Sequence, residues 1–553
     1  MRGSTGQVGV GRPSGLLMAS CVVGGLLAVP VLAVFLAVLG GAGSDTWRHL
    51  AATVLPEYVA NTFILCLGVG VGVAVVGVAS AWLTAMYEFP GRRMFEWALV
   101  LPLAVPAYVM AYVYTDFLQF VGPVQSALRA AFGWRAADYW FPDVRSVGGA
   151  VAMFTFVLYP YVYMLARTAF LERAPGVIEA GRLLGLGPWA AFARLSLPLA
   201  RPALVAGMAL ALMETLADYG TVSYFAVQTF TTGIYRAWFS LGDRQAAAQL
   251  SAALLSFVVG VLVLERLSRG RARFHDTVRQ LHGAPQRVLG PWARWSACLI
   301  CLVPLTFGFL LPGGLLLRMA LVEGDAQFGP RFLALAWNSF SLAGFTALCG
   351  MFLALLLAYA ARLHPSILPQ ALNRMVGLGY AVPGSVIAVG VLIPVTRLDH
   401  GLAAALEALT GSNPGLLLTG GVAALVYAYL ARFLSVGLQT VEAGLGKITP
   451  SMDDAARSLG AGRWETLRRV HGPMLRGSLL TAGLLVFVDV MKELPATLVM
   501  RPFNFDTLAT QAYTLASDER LAEASTAALA IVVVGLLPLV LLSRQIAAQR
   551  RRR

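Results

Sequence analysis

Five ionisable residues lie inside runs of sequence otherwise apolar enough to sit in lipid: Glu214 and Asp218 within 202–222, and Asp489, Lys492 and Glu493 within 478–500. A charge at such depth costs several kcal/mol unless it is paired or faces a water-filled cavity. The two sets correspond: Glu214 matches Asp489 and Asp218 matches Glu493, each 275 residues on. On continuous helices the acids of each set, four residues apart, share one face, and Lys492 reaches Asp489 at i,i+3. Four carboxylates against one lysine suit a polar pathway lining for a hard cation, with Tyr219 and Tyr224 close by as further oxygen donors. The lining is expected to be weak, because a tight cage would trap its ion. Gating or interdomain salt bridges are the alternative use of the same charges.

Other chemistries find little support. Cys298 and Cys301 form a CxxC inside WSACLICLVPL with no second ligand pair, and the histidines show no ligand spacing, so no metal centre is expected. Gly446-Lys447 is followed by Ile and lacks the upstream glycine of a phosphate loop, so no nucleotide or other cofactor is expected on this chain. No catalytic groups cluster at one interface, so the protein is not expected to be an enzyme.

A second pattern occurs twice. Glu179 to Pro198 reads EAGRLLGLGPWAAFARLSLP, and Asp454 to Pro473 reads DAARSLGAGRWETLRRVHGP, with 8 of 20 positions identical without a gap. Each reads as a short helix, a glycine break, a second helix, and a proline where the next span begins. The acid is expected near the first helix's N-terminus, where the macrodipole favours it. Gly185 and Gly460 are expected to permit a sharp turn and the close approach of another backbone. Each segment is then a compact helical knob.

These segments must be positioned by a membrane scaffold. Hydrophobic residues make up 58% of the 553 and charged residues 13%, with a mean hydropathy of +0.72; a soluble domain runs near a quarter charged. Runs long enough to span a bilayer occur at 16–40, 62–87, 97–115, 148–166, 202–222, 246–264, 296–317, 338–360, 375–395, 415–431, 478–500 and 526–543. With a cytoplasmic N-terminus, the inside segments hold 30 Lys and Arg and the outside loops 11, which places both termini in the cytoplasm. The net charge of +14 therefore reflects cytoplasmic bias, and nucleic acid is not an expected partner. Asn61-Thr62 and Ala104-Val105-Pro106 recur 277 residues later as Asn338-Ser339 and Ala381-Val382-Pro383. Six spans per copy make the copies parallel. The expected organisation is an N-terminal segment with the first span (1–60), a first repeat (61–264), a basic cytoplasmic linker (265–295), a second repeat (296–543) and a basic tail (544–553).

The paired knobs resemble the signature of the membrane subunits of type I ABC importers: EAA, three residues, Gly, nine residues, then Ile-x-Leu-Pro. Glu179, Ala180, Gly185, Leu195, Leu197 and Pro198 fit it in the first copy, with Gly181 for the second alanine. Asp454, Ala455, Ala456, Gly460, Val470 and Pro473 fit it in the second, with Asp for Glu and Gly472 for Leu. The resemblance implies an all-α integral membrane protein of about twelve transmembrane helices in two parallel six-helix repeats, set in the bacterial inner membrane. It also implies that the knobs are coupling helices docking on two copies of a separate ATPase subunit, which uses the ATP, and that a periplasmic substrate-binding protein delivers the cargo. The fused halves, with ADYGTVSYFAVQTFTTGIYRAW at 217–238 and DVMKELPATLVMRPFNFDTLATQAYTLASDERLAEAS at 489–525, resemble ferric-iron permeases from about residue 60 onward. Fused permeases for thiamine or another small solute share the double architecture. A proton-coupled secondary transporter could use the carboxylates but would not need two such knobs.

Overall fold

Every one of the twelve apolar runs overlaps a helix of the computed structural model, which describes residues 15–39, 45–183, 185–269, 287–322, 328–413 and 415–551. Among these, eleven helices are long and apolar enough to cross a membrane. A bent pair, Arg92–Ala104 with Ala107–Phe132 meeting at 91°, is long and apolar enough when taken together, and makes twelve where it counts as one span. The termini 1–14 and 552–553, and residues 270–286 of the expected linker, lie outside the described residues. The only described strands are Tyr87–Glu88 and Arg287–Val288, a two-residue parallel ladder.

Four of the expected spans are interrupted, and the interruptions correspond between repeats. In the run 97–115 the helix gives way to a 3-10 turn, Leu101–Ala104, and restarts at Ala107. In the run 375–395, Ile367–Gly377 is followed by a 3-10 turn, Gly379–Ala381, and a restart at Gly384. The repeated Ala-Val-Pro is the cause: proline excludes the helical region for the residue before it, and Val105 (ψ 116°) and Val382 (ψ 123°) are extended. In the runs 202–222 and 478–500, helices Leu197–Ala217 and Gly472–Met491 stop, and short helices Gly220–Tyr224 and Pro495–Met500 follow. Broken backbone at membrane depth is tolerated only where protein or a cavity satisfies it, so these breaks mark the interior of the fold.

The first helix of each repeat packs on the other repeat. Gly15–Leu39 lies against Ile367–Gly377 and Gly384–Thr410. Its Pro30 cannot donate to the carbonyl four residues back, and the Tyr427 hydroxyl of the second repeat donates to that Leu26 carbonyl instead. Pro291–Leu305 leads through a π turn, Thr306–Leu310, into Leu311–Val322, which packs on Leu521–Arg551 and on first-repeat helix Ala107–Leu118. There Pro312 leaves the Phe307 carbonyl without its donor, and Tyr114 of the first repeat supplies one at 2.5 Å. The halves are thus clasped by exchanged helices, each exchange using a tyrosine to satisfy a carbonyl that proline has freed.

Candidate functional site: a buried charge cluster and two paired knobs

The four interrupted spans bring their broken ends together, and the charges sit at the breaks. Helix Leu197–Ala217 ends one residue before Asp218, whose backbone is extended (φ −72°, ψ 138°). Its carboxylate accepts the Thr221 N–H at 2.8 Å and the Thr221 hydroxyl at 3.2 Å. Glu493 does the same for the second repeat, accepting the N–H groups of Ala496 (2.8 Å) and Thr497 (3.0 Å) and the Thr497 hydroxyl (2.6 Å). Both acids therefore cap the short helices that follow them, where the orphan N–H groups of a helix start need acceptors. This corrects the expectation that each acid pair shares one helix face. The helix ends between Glu214 and Asp218, and again between Asp489 and Glu493, so the second acid of each pair is committed to the backbone.

Glu214 and Asp489 stay on the continuous helices and reach the cavity. Lys492 holds Asp489 at 2.9 Å, as the i,i+3 spacing requires. A cavity of about 1220 Å³ runs from Asp489, Lys492, Tyr161 and Tyr380 down to Lys447 and Ile448, beside the second knob. Above it a smaller one of about 100 Å³ is lined by Glu214, Asp218, Tyr108 and Glu493 as well as Asp489 and Lys492. Tyr380 faces both Glu214 and Tyr161.

The sequence reading missed a cation here. Arg432, assigned by position to a cytoplasmic segment because the apolar run ends at 431, lies in mid-helix of Val422–Leu445. It is buried and reaches Glu493 at 3.4 Å. The cluster is therefore four carboxylates against two cations, both from the second repeat; the matching first-repeat positions are Val157 and Ala217. Small and apolar residues continue helically past Arg432 to Leu445, but whether Arg432 is interior depends on Glu493, which no local spacing shows.

The knobs share one design with different fittings. In the second, Thr449 precedes helix Pro450–Ser458, and Gly460 follows it at φ +82°. Gly460 donates to Arg457 (2.9 Å) and Ala461 to Ala456 (3.0 Å), a Schellman closure. In the first, Leu186 donates to Gly181 at 3.0 Å and Gly185 also has φ +82°. Here Glu179 and Ala180 lie near the C-terminal end of the long helix Val147–Leu183, so the expectation of an acid at a helix N-terminus fails for Glu179. It is modified for Asp454, which is exposed and pairs with Arg457 at 2.8 Å. The acid that binds the second knob to the body is its neighbour Asp453, between Arg362 (2.7 Å) and His471 (2.6 Å). Partial burial opposes the charge of Asp453, but hydrogen bonds from Arg362 and His471 prevail and hold its carboxyl below the ordinary range. The first knob has Ile178 and Ser196 at the positions of Asp453 and His471, and so lacks this stitch.

In both copies the proline stands where the α-helical stretch of the next span begins. Pro198 and Pro473 sit at the second position of Leu197–Ala217 and Gly472–Met491, directly after π turns Phe192–Ser196 and Leu467–His471. The wider turn accommodates a ring that can neither donate to the fourth residue back nor clear its carbonyl. The second knob helix thus flows into the span. Leu195 and Val470 lie in these turns and Leu197 just after the first. Ala455 is exposed and Ala456 buried. Trp189 and Trp464, at matching positions, are 81% and 74% exposed, so both knobs present a large apolar side chain outward.

Gly181, where the signature has alanine, is explained by packing. A Cβ there would lie 2.5 Å from Leu195 Cδ1. The second copy has Ala456 and the smaller Val470 at the same positions, so volume has moved from one partner to the other. Gly181→Ala pushes the end of the Leu195 side chain aside, a cost set against the roughly 1 kcal/mol that alanine gains over glycine within a helix, so adding Leu195→Val should raise stability above that of the single variant. Thermal unfolding in detergent checks this; equal midpoints for the single and double variants would remove the pairing.

The family described as binding-protein-dependent transport system inner membrane component matches residues 74–270 and again 350–553. A Fe(3+)-transport system permease protein of Haemophilus influenzae is 26% identical over 89% of this chain and 90% of its own. A ferric transport system permease protein of Actinobacillus pleuropneumoniae is 22% identical over 85% of this chain and 68% of its own. A sulfate transport system permease protein of Escherichia coli is 31% identical but over only 32% of this chain and 57% of its own.

Proposed function

The chain belongs to the inner membrane components of binding-protein-dependent transport systems, the permeases of ABC importers, and we propose that its cargo is ferric iron, passed inward by alternating access. The observation that carries the choice of cargo is the make-up of the central cluster: Glu214, Asp218, Asp489 and Glu493 against Lys492 and Arg432, a formal excess of two carboxylates over cations. Such a constriction attracts a hard cation and repels an oxyanion such as sulfate. The similarity to ferric permeases over 85–89% of this chain supports the same reading, whereas the sulfate permease matches over only 32% of it.

In this reading the knobs are the coupling elements. Glu179, Ala180, Gly181, Gly185, Leu195, Leu197 and Pro198 form one, and Asp454, Ala455, Ala456, Gly460, Val470 and Pro473 the other. Each docks its exposed tryptophan, Trp189 or Trp464, on one of two copies of an ATPase subunit. A periplasmic binding protein presents the cargo at the opposite face. Both termini and the linker are cytoplasmic; with Arg432 moved to the interior, the Lys and Arg balance still stands at 29 to 11. The large cavity then opens to the cytoplasm, and nucleotide-driven approach of the two knobs closes it while the far side parts.

Glu214 and Asp489 are the carboxylates not committed to helix starts, so they are the ones that act on cargo. Glu214→Gln combined with Asp489→Asn should slow uptake of radioactive ferric iron by about tenfold or more, the change that ~1.4 kcal/mol produces, with normal amounts of protein in the membrane. Uptake at the wild-type rate would remove these groups from the pathway. Wild-type uptake of thiamine or sulfate in place of iron would overturn the cargo.

A further inference from the structure

Beyond the charge cluster, on the side away from the knobs, the two repeats meet across tyrosines. Tyr108 and Tyr112 stand one turn apart on helix Ala107–Leu118, with ring centroids 5.7 Å apart. Tyr112 meets Tyr224 edge-on at 4.8 Å. Tyr219 stacks on Tyr235 at 3.6 Å and approaches Tyr513 of the second repeat at 5.8 Å. Tyr513 is joined to Ser223 of the first repeat by a hydroxyl–hydroxyl bond of 3.1 Å.

Two of these phenols are unlike the rest. Tyr108 and Tyr112 are 4% and 3% exposed, and among the described residues neither hydroxyl has a hydrogen-bond partner. A buried hydroxyl without a partner costs about 1–3 kcal/mol, whereas phenylalanine would fill the same space at no such cost. Packing therefore does not explain the oxygens. Their surroundings are themselves oxygen-rich: Tyr108 lines the small cavity with Asp218 and Glu493, and Tyr112 lies within electrostatic reach of Asp218, Tyr224 and Tyr513.

We propose that Tyr108 and Tyr112, joined by Tyr513 across the interface, form a transient site for ferric iron, which the ion occupies before it reaches the carboxylates. The inference rests on the ferric reading above and names the groups that first take the ion from the far side. Phenolate oxygen is a hard donor suited to a hard trivalent cation. On ligation an Fe–O bond forms and the phenol O–H breaks, the proton passing to water in the opened pathway; the iron stays ferric and nothing is oxidised or reduced. Asp218 and Glu493, being tied to the starts of short helices, supply negative field without competing as tight ligands. A site of few ligands held apart by the two repeats releases its ion when they move.

The test titrates the purified full chain in detergent with ferric nitrilotriacetate and reads the visible phenolate-to-iron charge-transfer band. It is paired with uptake of radioactive ferric iron by cells that depend on this permease. Wild type should develop the band with release of protons. Tyr108→Phe combined with Tyr112→Phe should lose the band and slow uptake by about tenfold or more, with a thermal midpoint equal to or above wild type, since no hydrogen bond is lost. A wild-type chain without the band, a band that survives in the double variant, or a lowered midpoint overturns the site. Wild-type uptake rate in the double variant overturns it while leaving ferric transport intact. Failure of the wild-type chain to take up ferric iron overturns both readings.

Discussion

Replacing Arg432 by methionine should destabilise the chain by about 3–5 kcal/mol, the usual cost of stripping a buried charge of its partner. The Arg432 side chain is 8% exposed and the Glu493 side chain it reaches is 1% exposed, so little solvent is at hand to take over. Glu493 in turn holds the start of Pro495–Met500 through three hydrogen bonds, and Tyr429 bonds Thr497 of that helix at 2.6 Å. The lost charge should therefore be felt along the whole broken segment at the repeat interface. Adding Glu493→Gln should recover much of the loss, because a neutral amide still accepts from the helix start without needing a counter-charge. Membrane accumulation and thermal midpoints of the two single variants and the double variant form the cycle that measures this. Equal accumulation of Arg432→Met and wild type would show that the pair contributes nothing to stability.

Gly460→Val should disable coupling at the second knob, and Gly185→Val at the first, by a backbone effect. A Cβ at either position would meet nothing within 4 Å, so the chain itself leaves room for a side chain. The obstacle is φ +82°, which costs an ordinary L residue about 1–2 kcal/mol and a β-branched one more. Asparagine tolerates this region, which separates two reasons for glycine. If only the turn matters, Gly460→Asn should keep ATPase co-purification and transport near wild type while Gly460→Val loses both. If an ATPase backbone approaches the glycine closely, Asn should fail like Val. Retention of ATPase and transport by both valine variants would end the assignment of these segments as coupling elements. The second knob should tolerate its valine better than the first, because Arg362 and His471 anchor it through Asp453.

Some of what the sequence reading missed was written in local patterns. Val105-Pro106 and Val382-Pro383 each announce an extended residue, and the runs around them were read as continuous only because hydropathy does not register a break. Asp218 precedes Thr221, and Glu493 precedes Thr497, with the spacing of a helix start whose N–H groups need an acceptor. Read as caps, they would not have been placed on the face that Glu214 and Asp489 occupy. Arg432 is a different case. Its position after an apolar run fits a loop as well as an interior, and the choice depends on Glu493, 61 residues further along the chain.

The sequence by itself determined that this is a membrane protein of about twelve crossings in two parallel repeats, and that it carries two matched knobs. Each of those properties is local or periodic: a bilayer selects for apolar length, and a duplicated unit keeps its spacing. Tertiary structure alone decided that Arg432 meets Glu493 across 61 residues, and that Glu214 and Asp489 of different repeats line one cavity. It also decided that the first helix of each repeat serves the other, and that Gly181 is the complement of Leu195. These depend on which distant segments touch. In a lipid-embedded fold, where nearly every helix face is apolar, composition does not distinguish a face turned to lipid from one turned to another helix.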